Sequence, residues 1–219
     1  MIIKELTLIT SNLKAQIEFY SKVLGFEIVS ENNIACTFRA GKTLLTFQKS
    51  QKSKPYHFAF NIPSNNENEA MVWLRERERV RILLFEGKEM VDFKLWNAKA
   101  LYFYDADKNI VEFIARKNLN INRDSSFSSK SILNISEIGI VSTNIEETFK
   151  SLNSLKPIKK YSGDFERFCA LGNEEGLFII ANPRLKKWFP TNDEIEASDF
   201  KVKGDFNFEF KNGKFIELP

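Results

Sequence analysis

One segment of this chain occurs twice. Glu5-Leu6-Thr7-Leu8-Ile9-Thr10-Ser11-Asn12-Leu13 returns 132 residues later as Glu137-Ile138-Gly139-Ile140-Val141-Ser142-Thr143-Asn144-Ile145. A repeat of this kind means that one supersecondary unit is used more than once, and it restricts the fold before any other property is weighed. In both copies an alternating strand meets an Asn suited to cap a helix. An apolar stripe at helical spacing follows, Leu13, Ile17, Tyr20 and Leu24 in one copy and Ile145, Phe149 and Leu152 in the other.

Gly25 can end the first helix in the left-handed conformation. Phe26–Val29, Ile34–Arg39 and Leu44–Gln48 then read as three strands separated by polar turns, which makes the unit βαβββ. A weaker middle copy opens at Tyr56–Phe60, passes through a helix containing Ala70, Met71 and Leu74, and closes with strands near Arg81–Phe85, Lys99–Tyr104 and Ile110–Ala115. The third copy ends with Arg167–Leu171 and Gly176–Ala181. Beyond it Phe206, Phe208 and Phe210 alternate before Asn212-Gly213, a dipeptide suited to a type I′ turn, which predicts a C-terminal hairpin. The expected class is α+β: repeated βαβββ modules forming an incomplete barrel around a cleft, with a third, partial module. The boundaries are 1–117 for two paired modules, 118–133 for an Asn- and Ser-rich linker, and 134–219 for the third module and hairpin.

A chain of 219 residues with 43% hydrophobic side chains and 21 phenylalanines can bury the core that such modules need. The 32 basic and 29 acidic residues are scattered, so no footprint for nucleic acid emerges. Charges follow Met1-Ile2-Ile3 immediately and no long apolar run occurs, so neither a signal peptide nor a membrane span is expected. Cys36 and Cys169 lack CxxC spacing, and a cytoplasmic location is the expectation.

Alternation divides the first strand of each module into two faces. Leu6 and Leu8, Phe58 and Phe60, and Ile138 and Ile140 are the bulky sets and should meet the helices. The opposite, concave face opens on Glu5, His57 and Glu137 in turn. In the last strand of the second module Glu112 shares a face with Ile110 and Ile114, where a carboxylate is costly unless paired or ligated. If the first two modules share a cleft, Glu5, His57 and Glu112 converge there, and one imidazole with two carboxylates suits a divalent first-row metal. Glu137 reads as an exposed or salt-bridged strand residue. The phenylalanines Phe58, Phe60, Phe103 and Phe113 read as core, and Arg75–Arg79 as a solvated helix end.

Leu13–Glu27, L-K-A-Q-I-E-F-Y-S-K-V-L-G-F-E, resembles the first helix and turn of the vicinal oxygen chelate superfamily, which groups glyoxalases, bleomycin resistance proteins and extradiol dioxygenases. Leu101–Glu112, L-Y-F-Y-D-A-D-K-N-I-V-E, resembles its closing hairpin with the metal-binding Glu. The resemblance covers about half the chain well and extends weakly to residue 182. It implies paired modules whose cleft holds a divalent ion, Mn, Fe, Ni, Co or Zn, on Glu5, His57 and Glu112, with Glu5 doubling as a base. It implies a small-molecule substrate or ligand and admits a homodimer.

The departures are specific. Thr46 stands where glyoxalase-type enzymes place a fourth ligand, Ile180 is apolar at the matching position of the third module, and one His cannot supply the two that extradiol dioxygenases use. Ala106 and Lys108 replace the Pro and Gly often found in the hairpin turn. Two functions therefore stand side by side: a metal-dependent enzyme acting on a small oxygenated substrate, of lyase, isomerase or dioxygenase type, and a metal-free binding or sequestration protein of the bleomycin-resistance type. The third module is expected to cover the cleft or make a subunit contact, with Trp188, Phe189, Pro190 and Thr191 in that surface.

Overall fold

A computed structural model describes all residues, 1–219. The first module comprises β1 (Ile3–Thr10), α1 (Leu13–Glu18, prolonged by a π-helical turn over Phe19–Val23), β2 (Glu27–Glu31), β3 (Ala35–Ala40) and β4 (Thr43–Lys49). The second has β5 (His57–Ile62), α2 (Glu67–Arg75), β6 (Met90–Phe93), β7 (Ala98–Tyr104) and β8 (Ile110–Arg116). The third has β9 (Asn134–Val141), α3 (Ile145–Leu155), β10 (Lys160–Gly163), β11 (Phe168–Asn173) and β12 (Gly176–Ala181). The chain ends in β13 (Phe200–Gly204), β14 (Phe208–Lys211) and β15 (Lys214–Glu217). The βαβββ reading thus holds in all three modules, in an α+β fold.

Local chemistry explains the element ends. The side chains of Asn12 and Asn144 accept from the backbone N–H of Ala15 and Glu147 at 3.3 and 3.1 Å, capping α1 and α3. Asn212 and Gly213 both have positive φ, as a type I′ turn between β14 and β15 requires. The second strand of the second module is β6, which starts nine residues beyond the start of the expected Arg81–Phe85. Ile82 makes only an isolated bridge to Phe103, and the chain then reverses at Glu86-Gly87, leaving Met90–Phe93 to pair with β7.

The sheets are shared differently from the expected pairing of modules one and two. One seven-stranded sheet runs β15-β14-β13-β1-β4-β3-β2, and one eight-stranded sheet runs β10-β11-β12-β9-β5-β8-β7-β6. The second and third modules therefore form one sheet, joined where β5 lies antiparallel to β9, Phe58 opposite Ile138. The free edge of β1 is taken instead by β13, with Leu6 opposite Val202 and Leu8 opposite Phe200. Periodicity defines a module; which module supplies its edge partner depends on long-range pairing that periodicity does not carry.

Segment 118–133 contains no strand and is docked: Phe127 and Ile132 are buried, and Ser64 and Ile121 exchange backbone and side-chain hydrogen bonds. The helix-facing sets Leu6, Leu8, Phe58, Phe60, Ile138 and Ile140 all lie in one large apolar core with Phe103 and Phe113. A smaller core lies on the opposite face of the eight-stranded sheet, around Ala59, Tyr102, Ile114, Ile179 and Trp188.

Candidate functional site

The side chains that matter sit on this second face. Ala59 of β5 has Glu112 of β8 as neighbour on one side and Glu137 of β9 on the other. The small methyl group leaves space between the two carboxylates, and His57, two residues earlier on the same face, closes the third side. The His57 Nε2 atom lies 3.6 Å from a carboxylate oxygen of Glu112 and 3.6 Å from one of Glu137. One ligand atom from each residue can be chosen so that all three lie within 4.8 Å of one another. All three residues are buried.

Glu5 is not in this group. It lies on β1 in the other sheet, its side chain exposed to solvent, because the first module does not share a cleft with the second. Glu137 takes the place expected of it. Its signal in the sequence was its position as the third residue in the series Glu5, His57, Glu137, each opening the concave face of a first strand. Thr46 pairs with Thr7 and Thr37 in the seven-stranded sheet, its hydroxyl 2.9 Å from that of Thr37, and is likewise remote. In the third module the concave position is Ile179 rather than Ile180. Ile179 lies opposite Gly139 as Glu112 lies opposite Ala59, whereas Ile180 points into the helix-side core.

Buried neighbours set the charge balance. Arg116, fully buried on β8, pairs with Glu137 and donates to the Asn61 side-chain oxygen at 3.3 Å, its guanidinium 5.2 Å from the Trp96 ring centre. Glu112 has no such cation in contact. Burial first, and the charge of Glu137 second, push its carboxyl well above the usual carboxylate range. Burial and the same two carboxylates push the Tyr102 phenol up, and Tyr102 stands opposite Glu112 across β7 and β8.

The tautomer of His57 follows from its other nitrogen. Nδ1 lies 3.2 Å from the Ile110 carbonyl oxygen, which can only accept, so Nδ1 carries the proton. In the neutral ring the Nε2 lone pair then faces two carboxylates. Three atoms of the kinds that can ligate a metal ion thus face one buried point.

A cavity of about 410 Å³ opens on the cluster, walled by Phe93, Trp96, Tyr102, Phe168, Trp188 and Phe189 among others. Trp188 and Phe189 belong to the strap between β12 and β13, so the segment expected to cover a cleft does so. The Trp188 ring is 5.3 Å from that of His57. The strap approaches this closely because residue 139 is Gly: a Cβ there would stand 2.7 Å from the tip of the Trp188 indole.

Three comparisons bear on this geometry. The family model of the glyoxalase/bleomycin resistance protein/dioxygenase superfamily matches residues 2–113. A metallothiol transferase FosB of Staphylococcus epidermidis is 29% identical over 117 residues, 50% of this chain and 80% of that protein. Among solved structures, a putative dioxygenase from Bacillus subtilis superposes with a TM-score of 0.60 at 14% identity, over 83% of this chain and 63% of that one. A glyoxalase I variant from Zea mays gives a TM-score of 0.55 at 12% identity, over 83% and 66%. This chain thus spans less than two thirds of either structure's length, and at such identity the two speak for the fold alone.

Proposed function

The chain belongs to the glyoxalase/bleomycin resistance protein/dioxygenase superfamily, and from that premise we propose that it is a metal-dependent enzyme acting on a small oxygenated molecule. His57, Glu112 and Glu137 would hold one divalent ion. The observation that carries this reading is the convergence of the His57 Nε2 lone pair with two buried carboxylates, one of which has no cation in contact. A first-row divalent ion, such as Mn, Fe, Ni, Co or Zn, matches an imidazole and two carboxylates.

Such an ion supplies Lewis acidity toward two neighbouring oxygens of a substrate. The protein's own groups do the rest. The Ile110 carbonyl fixes the ring of His57, and Arg116 orients Glu137 while offsetting its charge. Trp188 and Phe189 shield the floor from bulk water, which strengthens every charge interaction there. Glu112, which unlike Glu137 has no arginine paired with it, is the carboxylate better placed to take and return a proton. Ile179, at the fourth symmetric position, donates nothing, so a three-residue set leaves room for substrate oxygens.

The aromatic walls also support a second reading, a metal-free binding protein of the bleomycin-resistance type. Elemental analysis separates the two. Protein purified without chelators or a metal-affinity tag should carry close to one equivalent of metal, lost in His57→Ala and in Glu137→Gln and retained in Glu5→Gln. A native protein that stays empty when metal is supplied would sink the enzyme reading and favour the binder.

A further inference from the structure

The cavity that opens on the acceptors His57, Glu112 and Glu137 is also lined by donors. Arg167 stands just before β11 at the mouth, and Lys186 sits half-buried on the strap; both line the cavity that opens on His57, Glu112 and Glu137. They come from segments almost twenty residues apart, yet one buried residue ties them together. Asn182 donates through its backbone N–H to the Arg167 carbonyl at 3.1 Å and through its amide to the Glu166 carbonyl at 3.0 Å. Its own carbonyl accepts from the Lys186 N–H at 3.0 Å. The Lys186 ammonium then rests 4.1 Å from the centre of the Phe168 ring, next in sequence to Arg167.

Neither cation has an acidic partner. The adjacent Lys187 is paired with Glu194 at 2.6 Å, whereas Lys186 and Arg167 form no ion pair, and burial with the nearby Arg167 charge pushes the Lys186 ammonium down from its ordinary value. A third unmet donor lines the same cavity. The indole N–H of Trp188, a residue only 5% exposed, has no acceptor within the protein. Unpaired donors lining a cleft are what an incoming anion satisfies. Two carboxylates on the floor would repel the same anion, so the cavity has an electrical direction.

We propose that Arg167 and Lys186 form an oxyanion-reading subsite, selecting small substrates that carry a carboxylate or phosphate group on a flat apolar body and turning their neutral oxygens toward the His57, Glu112 and Glu137 centre. The proposal rests on the enzyme reading above for what happens at that centre, but not for the anion contact. The apolar body would lie against Trp96 and Phe168, aromatic side chains that line the same cavity.

Calorimetric titration of the full chain with benzoate, phenyl phosphate and neutral benzyl alcohol tests it, in metal-free and metal-loaded protein. At least one of the two anions should bind about tenfold or more tightly than the alcohol, with affinity falling as salt rises. Which anion wins tells carboxylate from phosphate recognition. Arg167→Gln and Lys186→Gln should each weaken that anion about tenfold, and Lys187→Gln much less, all three with unchanged melting curves and metal content. Equal affinity for alcohol and anions, or full anion affinity in the double variant, would overturn the subsite. Anion selectivity in a protein that takes up no metal would leave the subsite standing and remove the enzyme reading alone.

Discussion

The seven-stranded and eight-stranded sheets begin from the same module and end with different faces. In each, a first strand lies parallel to the last strand of its module and antiparallel to a second first-strand-like element, β1 with β4 and β13, β5 with β8 and β9. In the seven-stranded sheet the face away from the helices carries Glu5, Thr7, Gln48 and Lys201 and is open to solvent or half-open. In the eight-stranded sheet the corresponding face carries His57, Glu112 and Glu137, and the strap with Trp188 and Phe189 closes over it. A carboxylate at the head of a first strand therefore has no fixed meaning. What makes Glu137 a candidate ligand and Glu5 a surface residue is the cover and the partners, not the residue type.

The sharpest way to break this contrast is to remove both carboxylates and compare. Glu137→Leu strips the buried Arg116 of its charged partner, and loss of one member of a buried pair costs about 3–5 kcal/mol. Glu5→Leu removes an exposed side chain and should shift stability by about 0.5 kcal/mol or less. Urea unfolding of metal-free protein measures both. Similar costs at the two positions would mean that the faces are energetically alike, and the distinction drawn here would fail.

The repeat, the helix caps at Asn12 and Asn144, the Asn212-Gly213 hairpin and the two faces of each first strand could all be read from the residues, because each depends on local pattern. His57 and Glu112 could be placed on one concave face for the same reason. Glu137 and Glu5 exchanged roles because strand partnership is decided by pairings between residues far apart in sequence, here Phe58 with Ile138 and Leu6 with Val202. Arg116 was invisible as a partner: nothing local marks a cation at the end of β8 as fully buried. Arg167 and Lys186 meet only through the strap, a segment without periodicity.

The two regions are not independent, since a buried polar knot joins them. Asp105, in the turn between β7 and β8, accepts from Gln16 Nε2 at 2.9 Å and the Tyr20 hydroxyl at 3.0 Å, both on the first module's helical segment. It also accepts from the Asn109 amide at 2.8 Å. Burial pushes its carboxyl up to about 6, against the opposing effect of these donors. A raised value means the folded state holds the proton more tightly than the unfolded chain. The contribution is therefore complete below the ordinary carboxylate value near 4 and is lost as pH rises toward 6, amounting to about 3 kcal/mol. The stability difference between the native chain and Asp105→Asn should shrink by an amount of that order across this window. A pH-independent difference would show that the joint between the sheets does not titrate.

A smaller effect bears directly on the cover. In Gly139→Ala the added methyl would meet the Trp188 ring at 2.7 Å and 3.1 Å and the His57 carbonyl oxygen at 3.2 Å. Overpacking of this kind costs about 1–3 kcal/mol, and the strap is the element free to yield, since β9 is held on both sides by β5 and β12. Replacing Trp188 by the smaller Phe should relieve most of the clash, so Gly139→Ala and Trp188→Phe together should be less destabilising than the sum of the two alone. Tryptophan fluorescence of Gly139→Ala should at the same time report greater water access to Trp188. If the two substitutions prove additive and the emission is unchanged, the strap is not seated by Gly139, and the closed face of the eight-stranded sheet owes its burial to the aromatic contacts of Phe189 with Phe85, Phe93 and Tyr102 instead.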